Sequence, residues 1–570
     1  LVLWPVAVLS AGTGVGWLIL LGLLALSPAS DLALRLVNRR VTSVTRTSLL
    51  PGLALRDGVP DGLRTLVVVP TMLASPASVA ELIDTLEVHF HANDDGEIYF
   101  AAATDWVDSS TEHREDDDDL LELARTGVRQ LNARHGDRFF VFHRSRRYNP
   151  SEGVWMGWER KRGKLEELNQ LLRGANDTSY STVEGLEPGP FRFVITLDSD
   201  TVLPRAAARR LIAKLAHPLN RAAFDKRTGR VVRGYAILQP RVTPSLPPQE
   251  DTSFFQKVYS TLQGVDPYAF TVSDVYQDLF REGSFAGKGI YDIDALEAAS
   301  RGRIPENAVL SHDLLEGNYA RAGLVTDVEV VEDHPTAYAT AASRSHRWTR
   351  GDWQLLPWIL VRHDGLTALG IWKMADNLRR SVLPISLVVG LLVALAVLPA
   401  PAALIWTALL VGFFLLPPVL GLLPAALRGA AGITTASRLR SLGADLATGM
   451  TRGILDLAFV SHQAAMMVDA IVRTLWRMLV SHRNLLEWTT AASARQRAAK
   501  DVRGYSRLMM AGYAAPVLAL AIAVTRGPEF IALAALPALL WLSAPLIAER
   551  VSRRYQPVDL AATPAELHYL

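Results

Sequence analysis

Two long stretches of this chain contain no charged residue, and they constrain its fold more than any other feature. Residues 1–29 form the first stretch and residues 381–427 the second. About 20 apolar residues suffice to cross a bilayer as a helix, and Pro399-Ala-Pro401 divides the second stretch into two such segments. Residues 508–525 and 530–548 form another apolar pair. The sequence therefore predicts about five helices that cross a lipid bilayer.

The positions of Lys and Arg predict the orientation of these helices. Cations follow the first apolar segment and flank both later pairs, whereas the two short turns within the pairs hold a single cation, Arg526. Because cytoplasmic loops carry the excess of Lys and Arg, every soluble segment is expected on the cytoplasmic side of a bacterial inner membrane. A signal peptide is the alternative for residues 1–29, but no basic region precedes them. Since the chain starts on Leu1, we expect a fragment of a longer protein.

Residues 50–370 alternate between strand and helix patterns. Helical patterns fall near 116–134, 160–173 and 203–216, and they separate four buried runs, Leu66–Pro70, Glu97–Ala103, Arg138–His143 and Phe191–Leu197. Such alternation predicts an α/β fold with a mostly parallel sheet that binds ligands at its carboxyl edge. Neither a G-x-G-x-x-G after the first strand nor a P-loop motif is present, which argues against a dinucleotide fold and a P-loop enzyme.

Two carboxylates end the fourth buried run, in Asp198-Ser199-Asp200. Alternate residues of a strand project to the same side, so both side chains are expected to point together. Adjacent carboxylates repel unless a cation lies between them, and a hard divalent ion is the natural occupant. A solvated acidic turn is the alternative. The formal net charge of +2 gives no support for nucleic-acid binding, and the absence of cysteine excludes disulfides and thiolate zinc sites.

Two further candidates lie earlier in the chain. Asp105 ends the second strand, where it can accept hydrogen bonds from a base or ribose, and a turn residue is the alternative. Lys164 belongs to a run of four cations that opens a helix, where cations oppose the helix dipole. A bound polyphosphate would explain these cations, and a solvated basic surface is the alternative. The acidic run 115–119 lies at a helix start, and we interpret it as a solvated, non-catalytic face.

Later motifs add a candidate base and a cationic site. Asp313 lies beside His312, and a positioned carboxylate can act as a general base for a sugar hydroxyl; a helix cap is the alternative. Arg347-Trp348 offers phosphate pairing and a flat face for a sugar ring, with lipid headgroups as the competing ligand. In 465–483, apolar residues at helical spacing predict an amphipathic helix in the membrane interface. A helix that covers the catalytic domain is the alternative.

In their order and spacing, these motifs resemble those of processive GT-A glycosyltransferases such as cellulose and hyaluronan synthases, over about residues 60–370. The matching positions are Asp105, Asp198-x-Asp200, Ser311-His312-Asp313 and Arg344-x-x-Arg347-Trp348. Two motifs depart from that pattern, because Ser-His-Asp replaces Thr-Glu-Asp and Arg344 stands where Gln is usual. Longer stretches look like the family 84-like glycosyltransferase domain of cyclic β-1,2-glucan synthases, namely Val154–Lys164, Glu282–Asp292, Ser311–Gly317, His346–Gln354 and Arg483–Trp488.

This resemblance implies an inverting transfer of glucose from UDP-glucose to a growing β-1,2-glucan. It implies Asp313 as the base, with Mg²⁺ or Mn²⁺ held by Asp200 together with Asp198. It also implies donor contacts from Asp105, Lys164, Asp198 and Arg347, and acceptor contacts from Trp348, Gly283 and Lys288. The alternatives are a synthase of another β-glucan, such as cellulose, and a non-catalytic membrane scaffold.

The predicted organisation is a GT-A domain inserted among membrane segments. From the N-terminus, we expect a transmembrane helix (1–29), a cytoplasmic GT-A domain (30–370), a transmembrane hairpin (371–428), interfacial amphipathic helices (429–507), a second hairpin (508–548) and a linker (549–570). In the family that the chain resembles, a glycoside-phosphorylase-like domain follows the membrane block, so such a domain is expected beyond this linker.

Overall fold

The computed structural model describes residues 12–185, 189–245, 252–260, 274–427, 434–488, 499 and 501–554. Its strands are, in chain order, β1 (Thr65–Leu73), β2 (Ile98–Trp106), β3 (Phe139–Arg144), β4 (Arg147–Asn149), β5 (Val154–Met156), β6 (Tyr180–Glu184), β7 (Phe193–Thr196), β8 (Thr201–Val202), β9 (Ala223–Phe224), β10 (Val231–Arg233), β11 (Ile237–Pro244), β12 (Gly289–Asp292) and β13 (Gly323–Glu332).

The α-helices are given in two groups, before and after residue 365. Those before residue 365 are α1 (Val15–Val44), α2 (Pro76–Asn93), α3 (Asp117–His135), α4 (Arg160–Leu171), α5 (Ala207–Leu215), α6 (Phe254–Tyr259), α7 (Val275–Phe280), α8 (Ile293–Ser300), α9 (Asp313–Ala320), α10 (Tyr338–Gln354) and α11 (Leu356–Leu360). The later ones are α12 (Ala368–Val397), α13 (Ala400–Leu427), α14 (Thr435–Trp476), α15 (Val502–Leu508), α16 (Ala514–Arg526) and α17 (Pro528–Ser552).

The core of the catalytic domain is a nine-stranded sheet in the order β6-β3-β2-β1-β7-β12-β11-β13-β8. Neighbouring strands β3, β2, β1 and β7 are parallel, β12 is antiparallel to both of its neighbours, and β11 and β13 are parallel to each other. Six of the nine strands therefore run in one direction. Helices α2, α3 and α5 cover one face, and α4 and α8 cover the other. Burial on both faces suits the continuous apolar runs of these strands.

The predicted α/β class, with a mostly parallel sheet and membrane helices, is confirmed. The four predicted strands correspond to β1, β2, β3 and β7, and the three predicted helices to α3, α4 and α5. The prediction that the acidic run 115–119 is solvated is wrong for one residue, Asp117. Asp117 is 3% exposed, because Arg146 reaches across from the segment after β3 and donates to its Oδ1 at 3.0 Å.

Five helices are long and apolar enough to cross a membrane, within the part of the chain that the structure describes: Val15–Val44, Ala368–Val397, Ala400–Leu422, Thr435–Ser481 and Pro528–Ser552. Thr435–Ser481 was not among the predicted spans. The predicted span at 508–525 falls on a bent pair, Val502–Leu508 and Met510–Arg526, with an angle of 73° between its parts, and this pair is a sixth candidate if it crosses as one span. The first span begins later than predicted, at Val15, and residues 1–11 of that prediction lie outside the described residues.

The prediction of cytoplasmic or interfacial amphipathic helices in 429–507 stays a prediction, and the structure adds their packing. A single 42-residue helix, α14, occupies most of this region and packs against α12, α13 and α10. Its polar face meets the catalytic domain, since His346 Nε2 lies 2.8 Å from Asp469 Oδ2 and Tyr338 Oη lies 2.8 Å from His462 Nδ1. The sequence alternative, a helix that covers the catalytic domain, describes this arrangement better. Of the predicted linker 549–570, residues 555–570 lie outside the described residues.

Candidate active site

Asp198 and Asp200 lie just beyond the carboxyl end of β7, at the edge of the sheet where ligands were expected. The strand ends at Thr196, and Asp198 to Thr201 form a turn in which the Thr201 N–H donates to the Asp198 carbonyl at 3.0 Å. Strand alternation therefore does not determine the direction of the two carboxylates, contrary to the sequence argument. Their environments differ instead, and that difference separates their chemistry.

Two lysines hold the Asp198 carboxylate. Lys161 Nζ donates to Asp198 Oδ1 and, at 2.8 Å, to the carbonyl of Gly287. Lys288 Nζ lies 3.1 Å from Asp198 Oδ2. Burial would raise the pKa of Asp198, but the two ammonium groups lower it well below its usual range. Asp198 is therefore ionised and engaged on both oxygens.

Asp200 has a different electrostatic environment. Burial raises the pKa of its carboxyl group, and the negative charges of Glu332 and Asp198 raise it further. A carboxylate among other carboxylates gains most from a divalent cation, which prefers oxygen ligands. The residues present therefore fit such an ion, with Asp200 as the better ligand because both Asp198 oxygens already have ammonium partners.

Glu332 is a central residue of the site that the sequence analysis missed. It ends β13, is 1% exposed, and accepts hydrogen bonds from two cations. Lys288 Nζ donates to its Oε2 at 2.7 Å, and Arg344 donates to its Oε1. Burial would lower the pKa of Lys288, but Asp198 and Glu332 raise it well above its ordinary value. Lys288 bridges two carboxylates, and its predicted contact with the acceptor stays a prediction.

Helix α10 brings the arginine–tryptophan motif to the same place. Arg347 lies close enough for the charges of Asp198 and Asp200 to act on its guanidinium, although burial and Arg344 lower its pKa. The Arg344 guanidinium lies 4.7 Å from the centroid of the Trp348 ring, and Trp348 is 41% exposed. The structure thus brings the predicted Arg347 to the acidic pair and the predicted Trp348 to Arg344, the partner of Glu332.

Asp313 approaches this cluster from the other side of Gly287. The backbone of Gly287 has φ +81°, and a Cβ added there would lie 2.8 Å from Asp313 Oδ1. Among the described residues, Asp313 Oδ1 is buried without a hydrogen-bond partner. Burial would lower the pKa of the adjacent His312, but Glu316, 2.9 Å away, and Asp313 raise it. A buried carboxylate oxygen without a donor is chemically suited to accept a proton or a hydroxyl hydrogen.

Asp105 and Lys164 belong to a buried ion cluster. Arg144 donates to both oxygens of Asp105, at 2.7 and 2.9 Å, and Lys164 Nζ lies 3.1 Å from Oδ2. Asp105 is 4% exposed and Lys164 3%. Burial raises the pKa of Asp105, yet the two cations bring it to about 2; burial lowers the pKa of Lys164 to about 8. Their role as donor ligands stays a prediction, and the geometry adds a structural role.

Gly283 contacts β13 and a helix outside the sheet. A Cβ there would lie 2.8 Å from the backbone nitrogen of Leu324, and its carbonyl accepts a hydrogen bond from Lys373 Nζ at 2.6 Å. Lys373 belongs to α12, one of the candidate membrane helices. The structure thus places Gly283 at a junction between the catalytic domain and that helix, and its predicted contact with the acceptor stays untested.

Residues 482–488, which we call the clasp, follow the end of α14 and bind two parts of the catalytic domain. On one side, the Asn484 N–H donates to Ser151 O at 3.1 Å and the Leu486 N–H to Glu152 Oε1 at 2.8 Å. On the other side, helix α10 donates to the clasp, through Gln354 to Leu485 O and Arg350 to Glu487 O, both at 2.8 Å.

The clasp also reaches the arginine motif, because the Arg347 guanidinium lies 5.8 Å from the centroid of the Trp488 ring. The sequence analysis identified 483–488 only through its resemblance. The backbone contacts that form the clasp leave no pattern in the sequence.

A separate group of metal-ligand side chains lies on the outer helices. Ligand atoms of Glu87, His91 and His135 lie within 4.8 Å of one another. Arg134 Nη1 also donates to Glu87 Oε1, at 2.7 Å, and so competes with any cation. These residues belong to α2 and α3 and are not part of the Asp198–Asp313 cluster.

Comparison with known proteins identifies one close relative. The chain is 47% identical, over 548 residues and 95% of its length, to the cyclic beta-(1,2)-glucan synthase NdvB of Rhizobium meliloti (strain 1021). It spans 19% of the length of that protein. No family model matches. Among solved structures, the mannosyltransferase PcManGT from Pyrobaculum calidifontis in complex with GDP-Man and Mn²⁺ aligns with 81% of this chain and 98% of its own, with a TM-score of 0.39 and 16% identity.

Proposed function

From the homology of this chain to a segment of a cyclic β-1,2-glucan synthase, we propose that it is a membrane-bound glucosyltransferase. In this proposal it transfers glucose from UDP-glucose to a growing β-1,2-glucan, with inversion at the anomeric carbon. One observation carries it: an acidic pair, its cations and the orphaned carboxylate oxygen of Asp313 converge around Gly287 at the carboxyl edge of a mostly parallel sheet. We further propose that this domain lies on the cytoplasmic side of a bacterial inner membrane, joined to the candidate membrane helices.

In the proposed mechanism, the residues of the chain divide between the nucleotide and the acceptor. Arg347 and Lys161 are cationic groups beside the acidic pair and bind the diphosphate. Asp200, with Asp198, would hold Mg²⁺ or Mn²⁺, which supplies positive charge to offset the negative charge of the departing diphosphate. Asp313 accepts the proton of the acceptor hydroxyl, and its orphaned oxygen supports this role. Trp348 offers its exposed face to a sugar ring.

The proposal is tested with membranes that contain the chain and with radiolabelled UDP-glucose. The labelled polymer is digested with glucanases specific for β-1,2 or β-1,4 linkages. Release of label by the β-1,2-specific enzyme is expected, and a product cut only by the β-1,4-specific enzyme would contradict the proposed linkage. Since the chain spans only part of its relative, a lack of polymer would be followed by a donor-hydrolysis assay, which measures release of UDP without an acceptor.

A further inference from the structure

Arg344, which departs from the pattern of the resembled synthases, has an ion-pair partner in the structure. The motif that begins at Arg344 has a cation where the resembled synthases have Gln. In the structure, this guanidinium donates to Glu332, a carboxylate that is 1% exposed at the end of β13. Removing one partner of a buried ion pair is strongly destabilising, because the remaining charge is left uncompensated. Arg344 is therefore tolerated at this position because Glu332 faces it.

Glu332 also binds a second cation, Lys288. Its Oε2 accepts a hydrogen bond from Lys288 Nζ at 2.7 Å, and the same nitrogen lies 3.1 Å from Asp198 Oδ2. Lys288 is thus shared between two carboxylates. Without the Glu332 charge, Asp198 and Asp200 remain as the counter-charges that the described part of this cluster offers to Lys288 and Arg344.

These ion pairs determine the net charge around a divalent cation bound at the acidic pair. Three carboxylates, Asp198, Asp200 and Glu332, face three cations, Lys161, Lys288 and Arg344. Arg347 adds a further positive charge nearby. With Arg347 counted, the cations exceed the carboxylates by one, and loss of the Glu332 charge would raise that excess to two around the acidic pair.

We propose that Glu332 is a positioning residue that neutralises Arg344 and Lys288 and so keeps the acidic pair able to bind a divalent cation. This inference rests on the proposed function, since it assumes that Asp200 and Asp198 hold the ion. In this inference Lys288 and Arg344 form one group of ion pairs with Glu332. An arginine at position 344 then requires the carboxylate of Glu332, and the Glu332 carboxylate requires Arg344.

The test measures Mn²⁺ binding to the purified full chain in detergent with UDP present. Bound Mn²⁺ is detected as a loss of the electron paramagnetic resonance signal of free Mn²⁺. Glu332→Gln is expected to weaken Mn²⁺ binding at least about tenfold, as estimated for one carboxylate charge lost about 10 Å from a divalent ion at an effective dielectric of about 40. Arg344→Gln alone should not weaken it. The double variant, which restores the charge balance, should bind within about threefold of the wild type.

A matched control lies on the same strand. Glu329→Gln removes a half-exposed carboxylate of β13 that pairs with Arg241, and it should leave Mn²⁺ binding unchanged. Wild-type-like binding by Glu332→Gln, or a double variant as weak as Glu332→Gln, would overturn the inference. If Glu332→Gln does not fold, the charge-balanced double variant decides the question, because weak binding by it overturns the inference. A wild-type chain that binds no Mn²⁺ would overturn the metal assignment of the proposed function, and the role of Glu332 with it.

Discussion

Asp105→Asn is expected to destabilise the catalytic domain, because it removes a carboxylate from the buried ion cluster. The side chain of Arg144 is 0% exposed and that of Asp105 is 6% exposed, and two hydrogen bonds of 2.7 and 2.9 Å join them. Breaking a buried pair by removing one partner costs roughly 3–5 kcal/mol. Arg144 keeps a second partner, since its Nη1 lies 2.9 Å from Glu167 Oε2. We therefore expect a loss near the lower end, about 3 kcal/mol of the free energy of unfolding.

The measurement is pulse proteolysis across a urea series with the full chain in detergent micelles, which follows the population of the unfolded α/β domain. Asp108→Asn is the matched control, because Asp108 pairs with Arg160 near the surface, where such a pair contributes about 0–1 kcal/mol. The cluster would have no structural role if the two variants shifted the urea midpoint equally.

The same experiment has a pH dependence with a definite sign. The pKa of Asp105 is about 2 in the folded chain against an ordinary value of 3.8. A carboxyl group with a lowered folded pKa stabilises the fold above its unfolded value, and this stability is lost as the pH falls through the folded value. The contribution of Asp105 to the stability difference between the wild type and Asp105→Asn should therefore be at its full size near pH 5 and shrink below about pH 4. A difference that grew on acidification would contradict the assignment.

Three other predictions concern the site and the clasp. Gly287→Ala should reduce glucose transfer at least about a hundredfold, since its Cβ would lie 2.8 Å from Asp313 Oδ1. Gly302→Ala is the control for backbone strain, because Gly302 also has a positive φ but has open space around the position of its Cβ. Asp313→Asn should lower kcat by about 10²- to 10⁴-fold while UDP binding, measured by calorimetry, is unchanged. Glu487→Gln should speed proteolytic cleavage near the clasp, because it weakens the ion pairs with Arg350 and Arg477. Full activity of Asp313→Asn, or cleavage of Glu487→Gln at the wild-type rate, would refute the respective prediction.

Local sequence patterns predicted the parts of this protein that depend on local structure. The buried runs of β1 and β7 are continuous in the sequence, so their apolar character alone indicates a covered sheet. The acidic pair follows directly from the end of β7. Pro399-Ala-Pro401 likewise marks the turn between α12 and α13, because proline interrupts helical hydrogen bonding.

The partners of these residues could not be predicted, because they come from distant parts of the chain. Glu332 reads as an ordinary strand-end acid until the sheet places it 2.7 Å from Lys288, which lies 44 positions earlier. The charge of its helix predicts a phosphate contact for Lys164, and nothing in that pattern indicates its second contact, with the buried Asp105. For the helix predicted in 465–483, the sequence could not show that Asp469 lies against His346 of α10, which is 123 positions away.

The geometry of the acidic site depends on the membrane helices at two points. Lys373 of α12 donates to Gly283 O, in the same loop that carries Gly287 and Lys288. The clasp that follows α14 bonds to α10, the helix that carries Arg344 and Arg347. The loop and the helix that supply the cations are therefore both held by segments outside the sheet. Since a buried carboxylate binds a cation only in a defined arrangement of neighbouring charges, the membrane region belongs to the construction of the site as well as to its anchoring.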